Sequence, residues 1–475
     1  MELTVNEIVR ATGGTLRDGE AAPMVSGIST DSRRVREREA FFALKGPNFD
    51  GHGFVRDVLA KGASCVVVER GFTPPPDACA VAVGDTLKAL GDLASYWRGL
   101  HDIPVIAVSG SAGKTTTKDM IASILSVSRP VLKTAGNFNN LIGLPLTLFG
   151  LDRGHRAAVL ELGISEPFEM ERLVEICAPG AGVITNIGGA HLKTLGSIEG
   201  VAKAKSALFT NIGVDGTRVV NRDDQWVARL SAGLRNVVTY SLKHRADVMV
   251  KGCSVDRGLG HVDAVYRVRG VDMEARINGA SAANVMNGAA AIASTLHLDV
   301  SGDEIREGLR AFTPASGRMS TVKIGALTVL DDTYNANPTS VAASLETLST
   351  AKGRKVAILG DMLELGDASG PEHRKIGRLA GSLGADAIVA IGEWSRAICD
   401  GAVEAGLKSV HAFKDKREAI EGIEGLLREG DTVLVKGSRG MRLEEVVDAI
   451  RASWDAADGR SGGPRADAVK TVAKS

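Results

Sequence analysis

A short segment just after residue 100 constrains the fold more than any other part of the chain. Residues 105–109 form an uninterrupted apolar run, and a glycine-containing turn follows at residues 110–115. Residues 115–125 then place Met120, Ile121, Ile124 and Leu125 on one face of a helix. A buried strand, a tight turn and an amphipathic helix are the repeating unit of parallel α/β sheets. The segment therefore predicts an α/β fold.

The turn in this segment has the residue types of a phosphate-binding loop. Glycines allow backbone N–H groups to curl around phosphate oxygens at the start of a helix. Lys114 can reach the β- and γ-phosphates, and the Thr115 hydroxyl can bind Mg²⁺. Val108 stands where the usual spacing has a glycine, so the loop is a shortened variant, and an ordinary glycine turn with an exposed lysine is the alternative. The predicted nucleotide-binding residues are Gly110, Ser111, Ala112, Gly113, Lys114, Thr115 and Thr116.

The strand–helix pattern recurs along most of the 475 residues and divides them into three units. We predict domains at residues 1–102, 103–313 and 314–454, followed by a disordered tail at 455–475 that is rich in Ala, Gly, Asp and Lys. Alternating apolar residues between 248 and 277 predict a small antiparallel patch in the central domain. The predicted strands are 39–44, 65–68, 81–83, 105–109, 157–161, 182–186, 327–330, 355–359, 387–391 and 432–436.

Composition excludes several classes of protein. The chain has 57 basic and 57 acidic residues, and only 4% of its residues are aromatic. A dedicated nucleic-acid binder would show a basic excess, so we expect no nucleic-acid partner. The five cysteines form no CxxC pair, the start has no signal-peptide pattern, and no apolar run approaches the length of a membrane span. These features predict a cytoplasmic protein without a membrane span.

Three further residues are candidates for a catalytic metal site. Glu161 ends an apolar strand, at the sheet edge where α/β proteins bind ligands, although a rim or capping role is an alternative. His191 follows another strand and, taken alone, is as compatible with a structural role. Lys205 falls in the middle of an apolar helical stripe, which indicates a buried lysine or one whose stem is buried and whose head reaches solvent. The apolar members of that stripe are Ile198, Val201, Leu208 and Ile212.

Several longer motifs, taken together, resemble the Mur ligases, the ATP-dependent amide-forming enzymes of peptidoglycan precursor synthesis. They occupy residues 29–33, 41–46, 49–52, 109–115, 134–140, 142–145, 331–338, 359–366 and 435–439. The resemblance covers most of the chain, from about residue 30 to 451. It implies three α/β domains: a small uridine-nucleotide-binding domain, a central parallel-sheet ATPase-like domain with the antiparallel patch, and a C-terminal Rossmann-like domain.

The resemblance also implies a role for each candidate residue. Lys114 would hold the phosphates, Thr115 and Glu161 one Mg²⁺ ion and His191 a second, while Lys205 would carry a carbamate that joins the metal site. Around the nucleotide, the implied residues are Asn284 at the adenine, Arg318 at the γ-phosphate, and Asp332 and Asn337 from the third domain. The implied substrate-binding residues are Thr30, Asp31, Ser32, Lys45, Gly46, Asn137, Asn139 and Asn140.

The chain departs from the family pattern at two places. Residues 281–283 read Ser-Ala-Ala, where family members often have Gly-Arg-His before the position of Asn284. Phe168 precedes Glu169, where the family usually has a glycine. We assign no role to Glu169 from the sequence.

The activity implied by the resemblance is ligation through an acyl phosphate. ATP would phosphorylate the carboxylate of a UDP-MurNAc tripeptide, and the amine of D-alanyl-D-alanine would then displace phosphate. ATP, two Mg²⁺ ions and a monomeric enzyme are expected. We also expect the third domain to close on the second through a hinge at residues 313–315, which would exclude water.

Other functions remain compatible with parts of the pattern. A sister Mur ligase or a folylpolyglutamate-type ligase that adds one amino acid would share the central motifs. A nucleotide-dependent binding protein that does not ligate would share the phosphate loop but would not need Glu161 and Lys205. A catalytically silent scaffold in cell-wall synthesis is the third alternative. No general base for the amine is evident, since His373 is as compatible with a structural role.

Overall fold

The computed structural model describes residues 1–17, 23–256, 260–279 and 281–458. The last helix, Glu444–Asp458, continues past residue 455, where we predicted the tail to begin. The rest of the predicted tail, residues 459–475, lies outside the described residues. No helix in the described ranges is both long enough and apolar enough to cross a membrane.

The N-terminal part contains a mixed sheet with helices packed on it. Its strands are β1 (Leu3–Thr4), β2 (Thr15–Arg17), β3 (Met24–Val25), β4 (Gly27–Ser29), β5 (Glu39–Phe42), β6 (Cys65–Glu69) and β7 (Ala80–Val83). Its helices are α1 (Val5–Thr12), α2 (Val55–Ala60) and α3 (Thr86–Gly99). The main sheet has the order β2-β7-β6-β5-β4, and the last four of these strands are mutually parallel. The loops after β4 and β5 therefore leave from the same edge.

The central part is built on one large sheet. Its strands are β8 (Val105–Ser109), β9 (Val131–Lys133), β10 (Ala157–Glu161), β11 (Ala181–Ile184), β12 (Thr217–Asn221), β13 (Val237–Ser241), β14 (Val248–Asp256), β15 (His261–Val268) and β16 (Val271–Asn278). Its helices are α4 (Lys114–Leu125), α5 (Gly143–Leu148), α6 (Glu169–Cys177), α7 (Leu192–Leu195), α8 (Ile198–Asn211), α9 (Gln225–Leu230), α10 (Ala283–Thr295) and α11 (Gly302–Ala311). Pairing is parallel from β9 to β14 and antiparallel through β14, β15 and β16, which confirms the predicted antiparallel patch.

The C-terminal part forms a separate, mostly parallel sheet. Its strands are β17 (Ser320–Ile324), β18 (Leu327–Asp332), β19 (Lys355–Gly360), β20 (Ala387–Ile391), β21 (Val410–Phe413) and β22 (Thr432–Lys436). Its helices are α12 (Pro338–Ser349), α13 (Ser369–Ser382), α14 (Ser395–Glu404), α15 (Lys416–Ile423) and α16 (Glu444–Asp458). The order is β17-β18-β22-β19-β20-β21, with only the β17–β18 pair antiparallel in the described sheet. Together the three large sheets confirm the predicted α/β class.

The hydrophobic cores show how the parts are joined. One continuous cluster contains buried residues of the N-terminal sheet and of one face of the central sheet, with α3 packed against α5 and α6. The other face of the central sheet is covered by α4, α10 and α11. The C-terminal sheet has its own cluster on each face. The N-terminal and central parts are thus one packed body, on which the C-terminal part docks.

Strand order places the candidate site in the central sheet. Strand β8 lies between β10 and β11, so the connections on its two sides leave in opposite directions. Ligands of open α/β sheets bind in the crevice that such a reversal creates at the carboxyl ends of the strands. The phosphate loop follows β8 into this crevice, and Glu161 ends β10 beside it.

Local predictions for two helices of the site are confirmed with small shifts. Helix α4 begins at Lys114, and its predicted apolar face is fully buried. Helix α8 begins after Ser197, whose Oγ accepts a hydrogen bond from the Gly200 N–H and caps it. Of the predicted apolar stripe, Ile198 is 42% exposed, because it is the first residue of the helix, and the other members are buried. Strand β11 ends at Ile184, two residues earlier than predicted.

Candidate active site

A cavity of about 450 Å³ lies between the central and C-terminal parts. It collects predicted residues from seven separate stretches of chain. The predicted residues that line it are Ser111, Ala112, Gly113, Lys114, Thr115, Thr116, Asn137, Asn139, Asn140, Glu161, His191, Asn284, Arg318, Asp332 and Asn337. Gly110 and Lys205 lie behind this lining. The N-terminal candidates from Thr30 to Gly46 are in a different part of the molecule.

The phosphate loop has the backbone conformation that its glycines permit. Gly110 and Gly113 have φ values of 143° and 80°, in the region that side chains disfavour. The loop is held from behind, because the Ala112 N–H donates to Asn186 Oδ1 at 2.9 Å and the Ala112 carbonyl accepts from Thr185 Oγ1 at 2.6 Å. A Cβ at Gly110 would come within 1.9 Å of Thr185 Oγ1. The loop is therefore preorganised by the residues that follow β11.

Lys114 lies over the phosphate loop. Its Nζ donates to the Gly110 carbonyl at 2.9 Å. Burial lowers the pKa of Lys114, the nearby Glu161 carboxylate opposes this, and Arg318 lowers it further. Two cations from different domains thus face the same cavity, which suits a ligand with several negative charges.

Glu161 is the centre of a buried hydrogen-bond network. Its Oε2 accepts from Thr115 Oγ1 at 2.6 Å, and its Oε1 accepts from Asn139 Nδ2 at 2.8 Å. Its backbone N–H donates to Thr134 Oγ1 at 2.9 Å. With 2% of its surface exposed, Glu161 is fixed beside the phosphate loop by three partners. The sheet register thereby brings the predicted Thr115–Glu161 pair together.

His191 lines the cavity close to the C-terminal part. Its backbone is left-handed, with φ 55°, and its Nδ1 lies 2.6 Å from Glu364 Oε2 of the C-terminal part. Burial lowers the pKa of His191, with Lys205 and Lys114 lowering it further and Glu364 opposing them. The neutral imidazole that results is the form that can bind a metal.

Lys205 is buried without a counter-charge in contact. It is 2% exposed, and among the described residues no group forms a hydrogen bond or ion pair with its ammonium. Burial lowers the pKa of Lys205 well below its usual value, and Lys114 adds to this effect. A neutral amine is the species that reacts with CO₂, and an anionic product would remove the repulsion from Lys114. The environment of Lys205 therefore fits the carbamate that the resemblance implies.

The residues around the phosphate loop also fit Mg²⁺. This ion prefers hard oxygen ligands, and it is usually bound by one or two carboxylates together with substrate phosphates and water. The Thr115 hydroxyl and the Glu161 carboxylate supply such oxygens 2.6 Å apart. The described residues hold no group of three or more His, Cys, Asp and Glu side chains placed for a metal. Mg²⁺ bound here would neutralise phosphate charge.

The C-terminal part contributes polar groups from the carboxyl ends of β18 and β22. Asn337 caps α12, and its Nδ2 donates to the Ser111 carbonyl of the phosphate loop at 3.1 Å. Asp332 lies opposite Lys436 in the strand register and receives its Nζ at 2.6 Å. Arg318 stacks on the Tyr334 ring, with its Cζ 3.9 Å from the ring centroid. The stack holds the Arg318 guanidinium at the cavity wall.

Some cavity residues carried signals that the sequence reading did not use. Asn287 lies one turn after Asn284 on α10, and its Oδ1 accepts from Thr117 Oγ1 at 3.3 Å. Two asparagines at i and i+3 in an alanine-rich helix were the available signal. Lys436 ends a buried strand, which is the pattern that identified Glu161.

The N-terminal candidates lie at the carboxyl edge of their own sheet. Thr30, Asp31 and Ser32 follow β4, while Lys45 and Gly46 follow the neighbouring parallel strand β5. Arg33 donates to both carboxylate oxygens of Asp31, and these hydrogen bonds lower the pKa of Asp31 to about 2. The structure thus gathers these candidates at the carboxyl edge of one sheet, where α/β folds bind ligands, separate from the cavity at the phosphate loop.

His373 has a structural role in this arrangement. It is fully buried, its Nε2 accepts from the Met362 N–H at 2.8 Å, and its Nδ1 donates to the Ser369 carbonyl at 2.6 Å. Both ring nitrogens are therefore used within the domain. Of the two roles considered for His373, the structure supports the structural one.

A buried lysine next to the phosphate loop gives a first prediction. Lys118, one turn after Lys114, is 2% exposed, and its Nζ donates to the Thr134 carbonyl at 2.7 Å. Thr134 in turn accepts from the Glu161 N–H. We expect Lys118→Met to lower the phosphate-release rate roughly tenfold with little change in KM for ATP, because Glu161 loses its positioning.

Lys118→Arg, which keeps the cation, is expected to restore part of that rate. The matched control is Lys133→Met, since Lys133 is half exposed and pairs with the neighbouring Asp119. A Lys118→Met enzyme with an unchanged rate would show that this contact serves folding alone.

Comparison with known proteins places this chain in a family of ligases. Three family models match consecutive parts of the chain: the Mur ligase family, catalytic domain, at residues 24–98; the Mur ligase middle domain at 108–295; and the Mur ligase, glutamate ligase domain, at 317–439. The chain therefore belongs to the Mur ligase family, and it is an ATP-dependent ligase.

Particular relatives are similar over nearly the whole chain. The UDP-N-acetylmuramoyl-tripeptide–D-alanyl-D-alanine ligase of Bacillus subtilis (strain 168) is 34% identical over 450 residues, covering 94% of this chain and 97% of the relative. A crystal structure of MurF from Acinetobacter baumannii superimposes with a TM-score of 0.89 at 33% identity, covering 95% and 99% of the two chains. The MurF ligase of Thermotoga maritima in complex with ADP gives a TM-score of 0.82 at 27% identity, covering 90% and 98%.

Proposed function

We propose that this chain joins D-alanyl-D-alanine to UDP-MurNAc tripeptide with hydrolysis of ATP, forming UDP-MurNAc pentapeptide, ADP and phosphate. The observation that carries the proposal is the Thr115–Glu161–Asn139 network beside the phosphate loop, inside a cavity completed by the C-terminal part. The relatives that share the whole chain length are ligases with these substrates in their names.

The chemistry follows from the poor reactivity of a carboxylate toward an amine. Phosphorylation by ATP converts the tripeptide carboxylate into an acyl phosphate, the amine attacks the acyl carbon, and phosphate leaves. Phosphoryl transfer depends mainly on positioning and charge neutralisation. Lys114 and Arg318 face the cavity from opposite domains and would neutralise the transferred phosphoryl group. Asn284 would contact the adenine side.

Metal ions would assist this neutralisation. We assign one Mg²⁺ to Thr115 and Glu161, and a second to His191 together with Lys205 as its carbamate. Bound there, the ions would offset negative charge on the phosphates. The protein's own contribution is to fix these ligands through the contacts of Glu161 with Asn139 and of His191 with Glu364.

Exclusion of water requires the C-terminal part to close over the cavity. Contacts across that boundary include Asn337 Nδ2 to the Ser111 carbonyl and the Lys193 N–H to the Glu364 carbonyl at 3.1 Å. A Cβ at Gly188 would come within 2.0 Å of Thr339 Oγ1, so this approach depends on the absence of a side chain. We assign the hinge to residues 313–315, and we propose that the enzyme is a cytoplasmic monomer. All five cysteines are unpaired, in keeping with a reducing compartment.

Phosphate release tests the function directly. With ATP, Mg²⁺ and UDP-MurNAc tripeptide, we expect release to depend on added D-alanyl-D-alanine, with UDP-MurNAc pentapeptide as the product. Single amino acids, including L-lysine, meso-diaminopimelate and D-glutamate, are the matched acceptors. Release stimulated by a single amino acid, and not by the dipeptide, would identify a sister ligase and contradict the proposal.

A further inference from the structure

Phe168 combines a disfavoured backbone with an exposed ring. Its φ is 67°, in the left-handed region where a bulky L residue is strained, and its surface is 79% exposed. Glycine adopts this conformation without penalty. The ring buries too little surface to offset the strain within the chain. A strained residue of this kind is typical of sites that contact a ligand.

The loop that carries Phe168 is held firmly at the cavity wall. Glu169 Oε2 accepts from the backbone N–H groups of Ser165 and Glu166 at 2.6 and 2.9 Å, and these bonds close the turn that carries Phe168. Both Ser165 and Glu169 line the cavity. The backbone on either side of Phe168 is thus held by residues that form the cavity wall.

The position of this loop connects the two ligand-binding edges. Phe168 precedes α6, and α6 runs parallel to α3 of the N-terminal part, since Arg172 contacts Lys88 and Asp92 near the start of both helices. Helix α3 follows β7, and the loop of Phe168 follows β10, each at the carboxyl end of a parallel strand. Phe168 therefore lies between the edge bearing Thr30–Ser32 and the ATP-side cavity.

A second exposed ring lies on the neighbouring loop. Phe138 is 48% exposed, between the cavity residues Asn137 and Asn139. The two loops touch, because the Gly163 N–H donates to the Asn139 carbonyl at 2.8 Å. Two adjoining loops that contribute residues to the cavity wall thus each carry an exposed phenylalanine.

We propose that Phe168, with Phe138 beside it, binds the amino-sugar and peptide portion of the UDP-linked substrate. The inference rests on the proposed function. A substrate whose uridine lies at the N-terminal edge and whose carboxylate lies at the phosphate loop must pass this point. Aromatic rings pack well on the apolar faces of sugar rings and on aliphatic peptide groups, while the polar wall fixes orientation.

Calorimetric titration and kinetics of Phe168→Ala and Phe168→Gly test this role. We expect both variants to bind UDP-MurNAc tripeptide roughly tenfold more weakly, because the ring contact is lost. KM for this substrate should rise by a similar factor, with KM for ATP and the affinity for UDP alone unchanged. Phe168→Tyr should keep near-normal affinity. Because the ring is exposed, the Tm of the alanine and glycine variants should not fall.

Two control variants test whether relief of backbone strain, or loss of an exposed apolar side chain, changes substrate affinity elsewhere in the protein. Arg269→Gly relieves a left-handed residue in the β15–β16 turn, where φ is 48°, and Val271→Ala removes a 71% exposed side chain there. Neither should change substrate affinity.

Unchanged affinity in both Phe168 variants would overturn the inference, as would equal weakening of UDP and UDP-MurNAc tripeptide. If only Phe168→Gly weakened substrate binding, the cause would be the added backbone freedom of glycine, and this result would also overturn the role of the ring. A wild-type protein that binds UDP-MurNAc tripeptide no better than UDP contradicts the proposed function, and this inference with it. Normal wild-type binding with normal binding by the variants contradicts this inference alone.

Discussion

Lys205→Ala is expected to lower the rate of phosphate release by about a hundredfold or more. The amine of Lys205 is buried near the cationic Lys114, and among the described residues no group forms a hydrogen bond or ion pair with it. Loss of the amine removes the group that we propose to carry the carbamate, so the second Mg²⁺ proposed at His191 would lose a ligand. The measurement is steady-state phosphate release with saturating substrates.

Short carboxylates provide the decisive second measurement. The truncated side chain leaves space in which formate or acetate can place an oxygen anion, so added carboxylate should restore part of the rate of Lys205→Ala. Lys203→Ala is the matched control, because Lys203 lies two residues away on α8 and is exposed. Full activity of Lys205→Ala without any added carboxylate would show that no carbamate is needed.

Lys436→Met is expected to reduce the free energy of unfolding of the C-terminal part by about 3 kcal/mol. Lys436 is 2% exposed, and its Nζ lies 2.6 Å from Asp332 Oδ2. Asp332 would keep its hydrogen bonds from Ser344 Oγ and the Met319 N–H but would lose its counter-charge inside the protein. Urea denaturation followed at the C-terminal transition measures the change.

Mutation of the partner residue Asp332 distinguishes two causes of the destabilisation: an unpaired buried charge and a loss of packing. In a double-mutant cycle, Asp332→Asn together with Lys436→Met should be less destabilising than the sum of the single changes. Lys408→Met, at an exposed lysine of the same part, is the control and should have little effect. Strictly additive effects would argue that the two charges are not energetically coupled.

The parts of the site that were predictable are those whose signal is local. The phosphate loop follows from one strand, two glycines and one helix, and the burial of Lys205 follows from the spacing of Val201 and Leu208 on α8. The position of Glu161 at a strand end was enough to place it at the ligand-binding edge. Each of these inferences needs only the period of a helix or strand.

The contacts that were not predictable join residues far apart in the chain. The Asn337–Ser111 hydrogen bond spans 226 positions, and it depends on how two separately folded sheets meet. The Asp332–Lys436 pair depends on β22 inserting between β18 and β19, which strand periodicity does not specify. The strain at Phe168 is a backbone property, and a phenylalanine in the sequence does not indicate a left-handed φ.

The core shared by the N-terminal and central parts has a consequence for substrate length. Because those parts are packed as one body, the separation between the uridine-side edge and the phosphate loop is fixed by the buried side chains of both sheets. An extended peptide grows by about 3.5 Å per residue. If the uridine binds at that edge as proposed, a donor one peptide unit shorter or longer than the tripeptide would have its carboxylate displaced from the phosphate loop by up to about that distance. The rigid body formed by the N-terminal and central parts would thus favour a donor with one particular peptide length.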